Sequence, residues 1–398
     1  MILEVFIAIL IGIILGIITG LTPGVHINLV AVLALTSFPI LSEYFSVLSV
    51  IIALISMAVA HTFLDFIPSV YLGVPDPDTS LSIFPSHRLL FEGDGHEAVQ
   101  LATLGSLFGL VITIFMTPLL IISVRNFYPV IKQYIPFILI LSSSFLILRD
   151  RDRKWSLIEF LLSGVLGLGV LSLDLSQPLF PLFSGMFGIS TLLMSLKNNT
   201  NLPTQNIKDL SINNKETFKA LGCGFIASSL AGFLPGLGSA QAAIIASNIT
   251  GKLSSRGFIV LIGSINTIVM IISFIALYVI DRARNGVIVV VSKIGGVLDM
   301  NHLILFLGVS FVVAGLSTFL TLELSKLFSR VVSKIDYKKV SILIIILIIS
   351  LVTFITGLLG LFVLIVSTFV GLIPMLKNTG RSHLMGSLII PVILYLLL

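Results

Sequence analysis

Gly16-Ile-Ile-Thr-Gly20-Leu-Thr-Pro23-Gly24-Val-His26 interrupts an apolar run that extends from residue 2 to residue 41. Ser228-Ser-Leu-Ala-Gly232-Phe-Leu-Pro235-Gly236-Leu-Gly238 does the same within 217–250. Both read small residue, three residues, glycine, two residues, Pro-Gly, and Pro235 follows Pro23 by 212 positions. Proline removes a backbone donor and disfavours the helical region for the residue before it, while glycine permits angles that other residues avoid. About 20 apolar residues cross a hydrocarbon core of about 30 Å, so each run is too long for one crossing. A broken or re-entrant helix is expected in each half. Unpaired backbone in a bilayer survives only where protein or a water-filled cavity surrounds it. Freed carbonyls could therefore coordinate a cation, and the helix starting after each break could direct N–H groups at an anion. A single copy reads as an ordinary proline kink or a tight turn; two matched copies point to a binding site.

The composition places this motif in lipid. Of 398 residues, 57% are hydrophobic and only 10% charged, with a mean hydropathy of +1.16. A soluble domain carries about 25% charged residues, so a soluble enzyme, a nucleic-acid binder and a secreted disulfide scaffold are excluded. Cys223 stands alone, which rules out an internal disulfide and a cysteine metal cluster. The net charge of +5 reports orientation more than an acidic partner. Basic residues concentrate at Arg149, Arg151, Arg153 and Lys154, at Lys197, Lys208, Lys215 and Lys219, and at Lys326, Arg330, Lys334, Lys338 and Lys339. These connections are expected on the cytoplasmic side. The first basic residue is Arg88, so Met1–Thr19 lacks the charged start of a signal peptide and reads as a permanent membrane segment.

Segmentation on charges and turn residues predicts an all-α polytopic membrane protein in the cell membrane. About 10–12 transmembrane segments are expected, with re-entrant or broken helices among them. The runs are continuously apolar and lack the alternation of barrel strands. The stretch 340–372 is long enough to break near Gly357 and Gly360. Two inverted repeats are expected, 1–200 and 217–398, joined by a polar linker at 201–216.

Paired Gly-rich Pro-Gly loops in two halves of so hydrophobic a chain resemble the tripartite tricarboxylate transporter large permease subunit (TctA) family. Gly232-Phe-Leu-Pro235-Gly236-Leu-Gly238 fits its pattern, as does Gly73-Val-Pro75-Asp76; His26 stands where the first loop would carry glycine. The resemblance implies an inverted-repeat secondary transporter for small carboxylates, coupled to Na⁺ or H⁺. In bacterial members it also implies a soluble binding protein and a small membrane subunit.

Scarce polar residues mark the candidate site. An ionisable residue inside a membrane segment is expensive and is a functional candidate by default. His61 and Asp65 lie four apart, on one helical face, where they could relay a proton or ligate a cation, or simply seal a helix contact. Asp65 precedes Pro68, so a further break is expected there. Asn266 and Thr267 are the neutral counterpart in the second half. Coupling-ion candidates are therefore His61, Asp65 and Asn266. Substrate candidates at the two loops are Thr22, Pro23, Gly24, His26 and Asn28, with Pro235, Gly236, Gly238, Ser239 and Gln241. Arg282 and Arg284 read as anion-binding cations, as partners of Asp76 and Asp78 in a gate, or as a solvated loop.

Signatures of catalysis are missing. Ala246–Leu253 ends in Gly-Lys-Leu without the leading Gly or the Ser/Thr of a phosphate loop, and His-Glu-x-x-His and Gly-x-Ser-x-Gly do not occur. Six dispersed histidines indicate no zinc site, and no cofactor is expected beyond a coupling Na⁺ or H⁺. The sequence therefore points to a permease for a small organic anion. A polyprenyl-phosphate translocase using the same loops is the alternative, and an intramembrane enzyme using His61 and Asp65 a second. The expected partners are the bilayer, the anionic substrate or lipid phosphate, the two companion subunits and further copies in a homo-oligomer, with no nucleic acid.

Overall fold

Continuous apolar sequence with sparse glycine and proline leaves the backbone one way to satisfy its hydrogen bonds in lipid, and the chain takes it. The structure is a computed structural model that describes all residues except 1, 23–26, 74–78, 176, 198–202, 209, 211, 234–237, 284, 297, 333–336 and 398. Among the described residues there are helices and turns but no strand. The first half runs α1 (Ile2–Leu21), α2 (Ile27–Thr36), α3 (Phe38–Tyr44), α4 (Val47–Leu64), α5 (Phe66–Leu72) and, after a 3₁₀ turn at Ser80–Ser82, α6 (Ile83–Glu92). It continues with α7 (Gly95–Ile131), α8 (Ile135–Arg149), α9 (Arg153–Leu171), α10 (Leu179–Phe183), a π-helical turn at Ser184–Ile189 and α11 (Ser190–Lys197). The second half comprises α12 (Asn214–Phe233), α13 (Ser239–Thr250), α14 (Ser255–Ile280), α15 (Gly286–Gly295), α16 (Met300–Val332) and α17 (Tyr337–Lys377). A 3₁₀ segment at Arg381–Met385 and α18 (Gly386–Leu397) close the chain.

The spacing of the motif recurs in the helices. α12 begins and ends 212 residues after α1, and α13 begins 212 residues after α2. The Pro-Gly dipeptides themselves lie outside the described residues, between α1 and α2 and between α12 and α13.

Seven helices among the described residues are long and apolar enough to cross a membrane, and four apolar pieces of 10–17 residues accompany them. The expectation of 10–12 segments counted short pieces too, of which Ile135–Arg149 falls short of the roughly 20 residues a crossing needs. Within α17, Gly357 takes φ 69° and ψ −166°, which breaks the helix where the sequence predicted. Each part, 337–356 and 358–377, is about 30 Å long at 1.5 Å per residue.

Hydrophobic side chains cover the outside: Leu3, Phe115, Leu343, Phe354 and Phe369 are exposed, an arrangement suited to lipid rather than water. Two helices are enclosed instead. The apolar windows of α4 with α5 and of α14 are 83% and 89% buried, against 22% for α17. Small residues make this enclosure possible. α1 lays Gly12, Gly16 and Gly20 along α4, and α12 lays Gly224 and Gly232 along α14, with buried Ser228 between them. A Cβ on Gly16 would sit 2.6 Å from the Ala60 Cβ, and one on Gly232 would sit 2.5 Å from Ile272 Cγ2. Gly105, Gly109 and Gly263 bring α7 equally close to α14. Lipid tails are as apolar as leucine, so close backbone packing replaces the hydrophobic effect as the force between helices.

Polar contacts fasten the ends of the bundle. Arg256, at the start of α14, grips Glu97 at the start of α7 with two bonds of 2.7 and 2.8 Å. The described part of the connection between the halves is docked: Gln205 accepts from the Gly95 N–H at 3.0 Å, and the Asn206 N–H donates to the Gly93 carbonyl at 2.7 Å. Near α9, Asp150 Oδ2 takes the Gly380 N–H at 2.9 Å and meets His383 Nε2 at 2.7 Å. Buried Glu159 has its two oxygens 2.6 and 2.8 Å from Thr379 Oγ1, and Lys377 Nζ lies 4.1 Å from the centre of the Trp155 ring. Burial opposes ionisation of Asp150, but His383 and the Gly380 N–H outweigh it and hold the carboxyl below its ordinary value of 3.8.

Two outcomes follow for stability. Gly16→Leu should separate α1 from α4 and lower the thermal midpoint of the detergent-solubilised chain, a loss of about 1–3 kcal/mol typical of overpacking; an unchanged midpoint would refute the close approach. Because the Asp150 carboxyl is depressed in the fold, its stabilisation is present above 3.8 and is lost as pH falls through the lower folded value. Asp150→Asn should cost about 1–3 kcal/mol at neutral pH and lose this acid sensitivity, which unfolding measured across that range would register.

Candidate functional site

The crossing of the two enclosed helices holds a polar cluster. Pro68 offers no N–H to the Leu64 carbonyl and its ring crowds that group, so α4 ends at Leu64 and α5 begins at Phe66, as the sequence predicted. Asp65 stands at this joint, buried. Its Oδ2 accepts a hydrogen bond from Asn266 Nδ2 of α14 at 3.0 Å, and the same amide nitrogen lies 3.4 Å from the Thr62 carbonyl. Thr267 Oγ1 donates to Thr62 Oγ1 at 3.1 Å, and Thr62 passes its own hydrogen to the Val59 carbonyl at 2.8 Å. On the other side of α4, His61 Nδ1 lies 3.2 Å from Thr19 Oγ1 of α1. Three helices thus meet through Thr19, His61, Thr62, Asp65, Asn266 and Thr267, all of them buried.

Chemically this is an oxygen-rich site. A carboxylate, an amide and two threonine hydroxyls at a helix joint suit a proton or a hard cation such as Na⁺, which prefers oxygen ligands. Groups of three or more His, Cys, Asp or Glu that could hold a transition metal do not occur among the described residues. Charge here is costly, and truncating Asn266 would leave the buried Asp65 carboxylate short of a donor.

The remaining candidates distribute as follows. Pro23, Gly24, His26, Pro235, Gly236 and Arg284 lie outside the described residues, as do Asp76 and Asp78. Thr22 is exposed directly after α1, its N–H bonded to the Ile18 carbonyl at 3.0 Å. Asn28, in the first turn of α2, packs on Gly286 at the start of α15; a Cβ there would be 2.7 Å from the Asn28 Oδ1. Ser239 and Gln241 are buried in the first turn of α13, and Gln241 Oε1 accepts the Gly238 N–H at 2.9 Å, so this oxygen caps the helix. Arg282 is exposed between α14 and α15. Asn248 ties α13 to α8 by donating to Ser142 Oγ at 2.7 Å.

Sequence reasoning passed over Thr19 and Thr62, because a lone threonine in an apolar helix ordinarily bonds its own backbone. It also passed over His87 and Arg381. Segmentation on charge starts the last apolar stretch at 383 and leaves Arg381 in a loop, whereas the fold turns Arg381 inward against the Ser184–Ile189 turn.

Residues 6–386 match the family described as the tripartite tricarboxylate transporter TctA family. A Methanocaldococcus jannaschii protein, named uncharacterized protein MJ1079, is 35% identical over 390 residues, covering 94% of each chain. No solved structure matches the chain. A multi-pass helical membrane protein matched over nearly its whole length, this chain belongs to the tripartite tricarboxylate transporter TctA family.

Proposed function

We propose that the chain is the permease that moves a small organic anion of the di- or tricarboxylate class across the cell membrane, coupled to Na⁺ or H⁺. The observation that carries this reading is the Asp65–Asn266 bond at the crossing of the two most enclosed helices. A buried carboxylate that accepts a hydrogen bond from a neutral amide is a group whose charge can respond when a cation or proton arrives. Coupling then has a physical basis. Neutralising Asp65 weakens its hold on Asn266, and α4 and α14 are free to shift against each other between two packings.

The paired contacts support two related repeats, which we read as inverted. α1 packs on α4 and α12 on α14, while α16 packs on α4 and α7 on α14. The first two contacts lie within the halves and the last two cross between them, as a two-fold relation between repeats requires. α2 and α13 follow the two Pro-Gly dipeptides, and α2 lies against α15 while α13 lies against the Ser80–Ser82 turn. The substrate candidates remain those of the two breaks, with Thr22 and Asn28 flanking the first and Gly238, Ser239 and Gln241 flanking the second. A soluble binding protein and a small membrane subunit complete the system, in keeping with the family.

Uptake of labelled citrate and succinate into vesicles containing the full chain, under imposed Na⁺ and pH gradients, tests the proposal. The wild type should accumulate label under one gradient, and Asp65→Asn should abolish the gradient dependence while retaining exchange. Asn266→Ala should reduce uptake by about tenfold, the cost of one charge-assisted bond. Absence of gradient-driven uptake of any di- or tricarboxylate by the wild type, even when supplied with the binding protein and small membrane subunit of its system, would refute the reading.

A further inference from the structure

Arg381 begins the last 3₁₀ segment and points into protein. Its Nη1 donates to Thr191 Oγ1 at 2.6 Å; its Nη2 donates to the Met186 carbonyl at 2.8 Å and to Ser190 Oγ at 3.0 Å. The Phe187 carbonyl lies 3.3 Å from Nη2, and the Phe187 ring lies 5.3 Å from Cζ. The π-helical turn at Ser184–Ile189 frees these carbonyls, as single π-turns in functional helices do. Every one of these partners is neutral. Arginine remains charged in proteins, no carboxylate pairs with Arg381 among the described residues, and its Nε has no acceptor.

His87 of α6 lies close by, 97% buried by its 3% exposure, and neither ring nitrogen closes a hydrogen bond. Burial first, and the charge of Arg381 second, push its imidazole down to about 4; the Ser69 carbonyl opposes this without reaching bonding geometry. The same turn of α11 joins the two groups. Thr191 bonds Arg381, while Leu192 packs with the His87 ring against Gly73. A Cβ on Gly73 would lie 2.6 Å from His87 Cε1 and 2.9 Å from Nε2, so glycine there leaves the ring its place. Gly73 also has φ +67°, a conformation that suits glycine.

A buried cation with neutral partners keeps its field, and a buried imidazole without partners keeps its N–H; among the described residues the two lack an anion. The position suits the function proposed above. Asp65, Ser69 and Gly73 succeed one another at four-residue intervals along α5, so one face of that helix leads from the Asn266 contact to the His87 ring. The distance along the axis is roughly 12 Å.

We propose that Arg381 Nε and the His87 imidazole anchor a carboxylate of the transported anion, on the line of α5 from Asp65. This rests on reading the chain as an organic-anion permease. The coupling cation at Asp65 and the substrate anion at Arg381 then occupy opposite ends of one buried polar path. Each lowers the cost of the other's charge, which links their binding.

Binding separates this from a packing role. The full chain in lipid nanodiscs is titrated with labelled citrate and succinate, and thermal unfolding is followed with citrate against chloride at equal ionic strength. His87 makes no hydrogen bond, so His87→Leu should leave the unliganded midpoint unchanged or raised, yet weaken citrate binding by about tenfold or more. Arg381→Gln should abolish citrate protection, and Arg381→Lys should retain part of it. Should Arg381→Gln fail to fold, His87→Leu decides alone. Wild-type citrate affinity in His87→Leu overturns the anchor and leaves the permease reading standing. A wild type that binds neither citrate nor succinate overturns the permease reading and the anchor with it.

Discussion

Backbone-to-backbone approach is the constraint on which the rest of this structure depends. In lipid, helices gain nothing by hiding apolar side chains from each other, so association needs surfaces that fit closely. Gly12, Gly16 and Gly20 of α1 and Gly224 and Gly232 of α12 supply such surfaces, and Gly105, Gly109 and Gly263 supply one between α7 and α14. α4 and α14 are thereby surrounded by protein rather than lipid, and only helices so enclosed can carry polar side chains without meeting hydrocarbon.

Enclosure decides where chemistry is available. Asp65 and Asn266 meet because both helices are drawn inside the same sleeve. Arg381 is accommodated on a second principle: a π-helical turn spends backbone carbonyls on a cation, so the guanidinium is held in place while its charge stays unneutralised. Asp150 with His383, by contrast, pairs opposite partners at the edge of the bundle and closes the 3₁₀ segment that carries Arg381. The structure thus uses a satisfied pair to position a charge that has no opposite among the described residues, a division expected where a charged ligand comes and goes.

Parts of this were legible in the chain. Gly357 breaks α17 because a 41-residue helix with a glycine in mid-run has a permissive point. The joint at Asp65 follows from Pro68, whose effect reaches back by one turn regardless of surroundings. The 212-residue spacing anticipates the bounds of α12 and the start of α13. Other parts were not. Ile135–Arg149 reads as an apolar segment but stops short of a crossing, since its ends depend on neighbours and not on hydropathy. Exposed Arg282 and inward Arg381 both stand in short polar stretches between apolar runs, and nothing local distinguishes a base that solvates from one that docks on a π-turn.

The sequence by itself determined that this is an all-helical membrane protein, where its helices break, and which ionisable residues stand inside apolar segments. Those are local matters: solvation of a side chain, a missing N–H, a permitted φ. Only the tertiary structure decided which polar groups meet. Asn266 lies 201 residues from Asp65, and Thr191 lies 190 residues from Arg381. A hydrogen bond across such a separation depends on how closely two backbones approach, and that distance is a property of the packed bundle rather than of either segment.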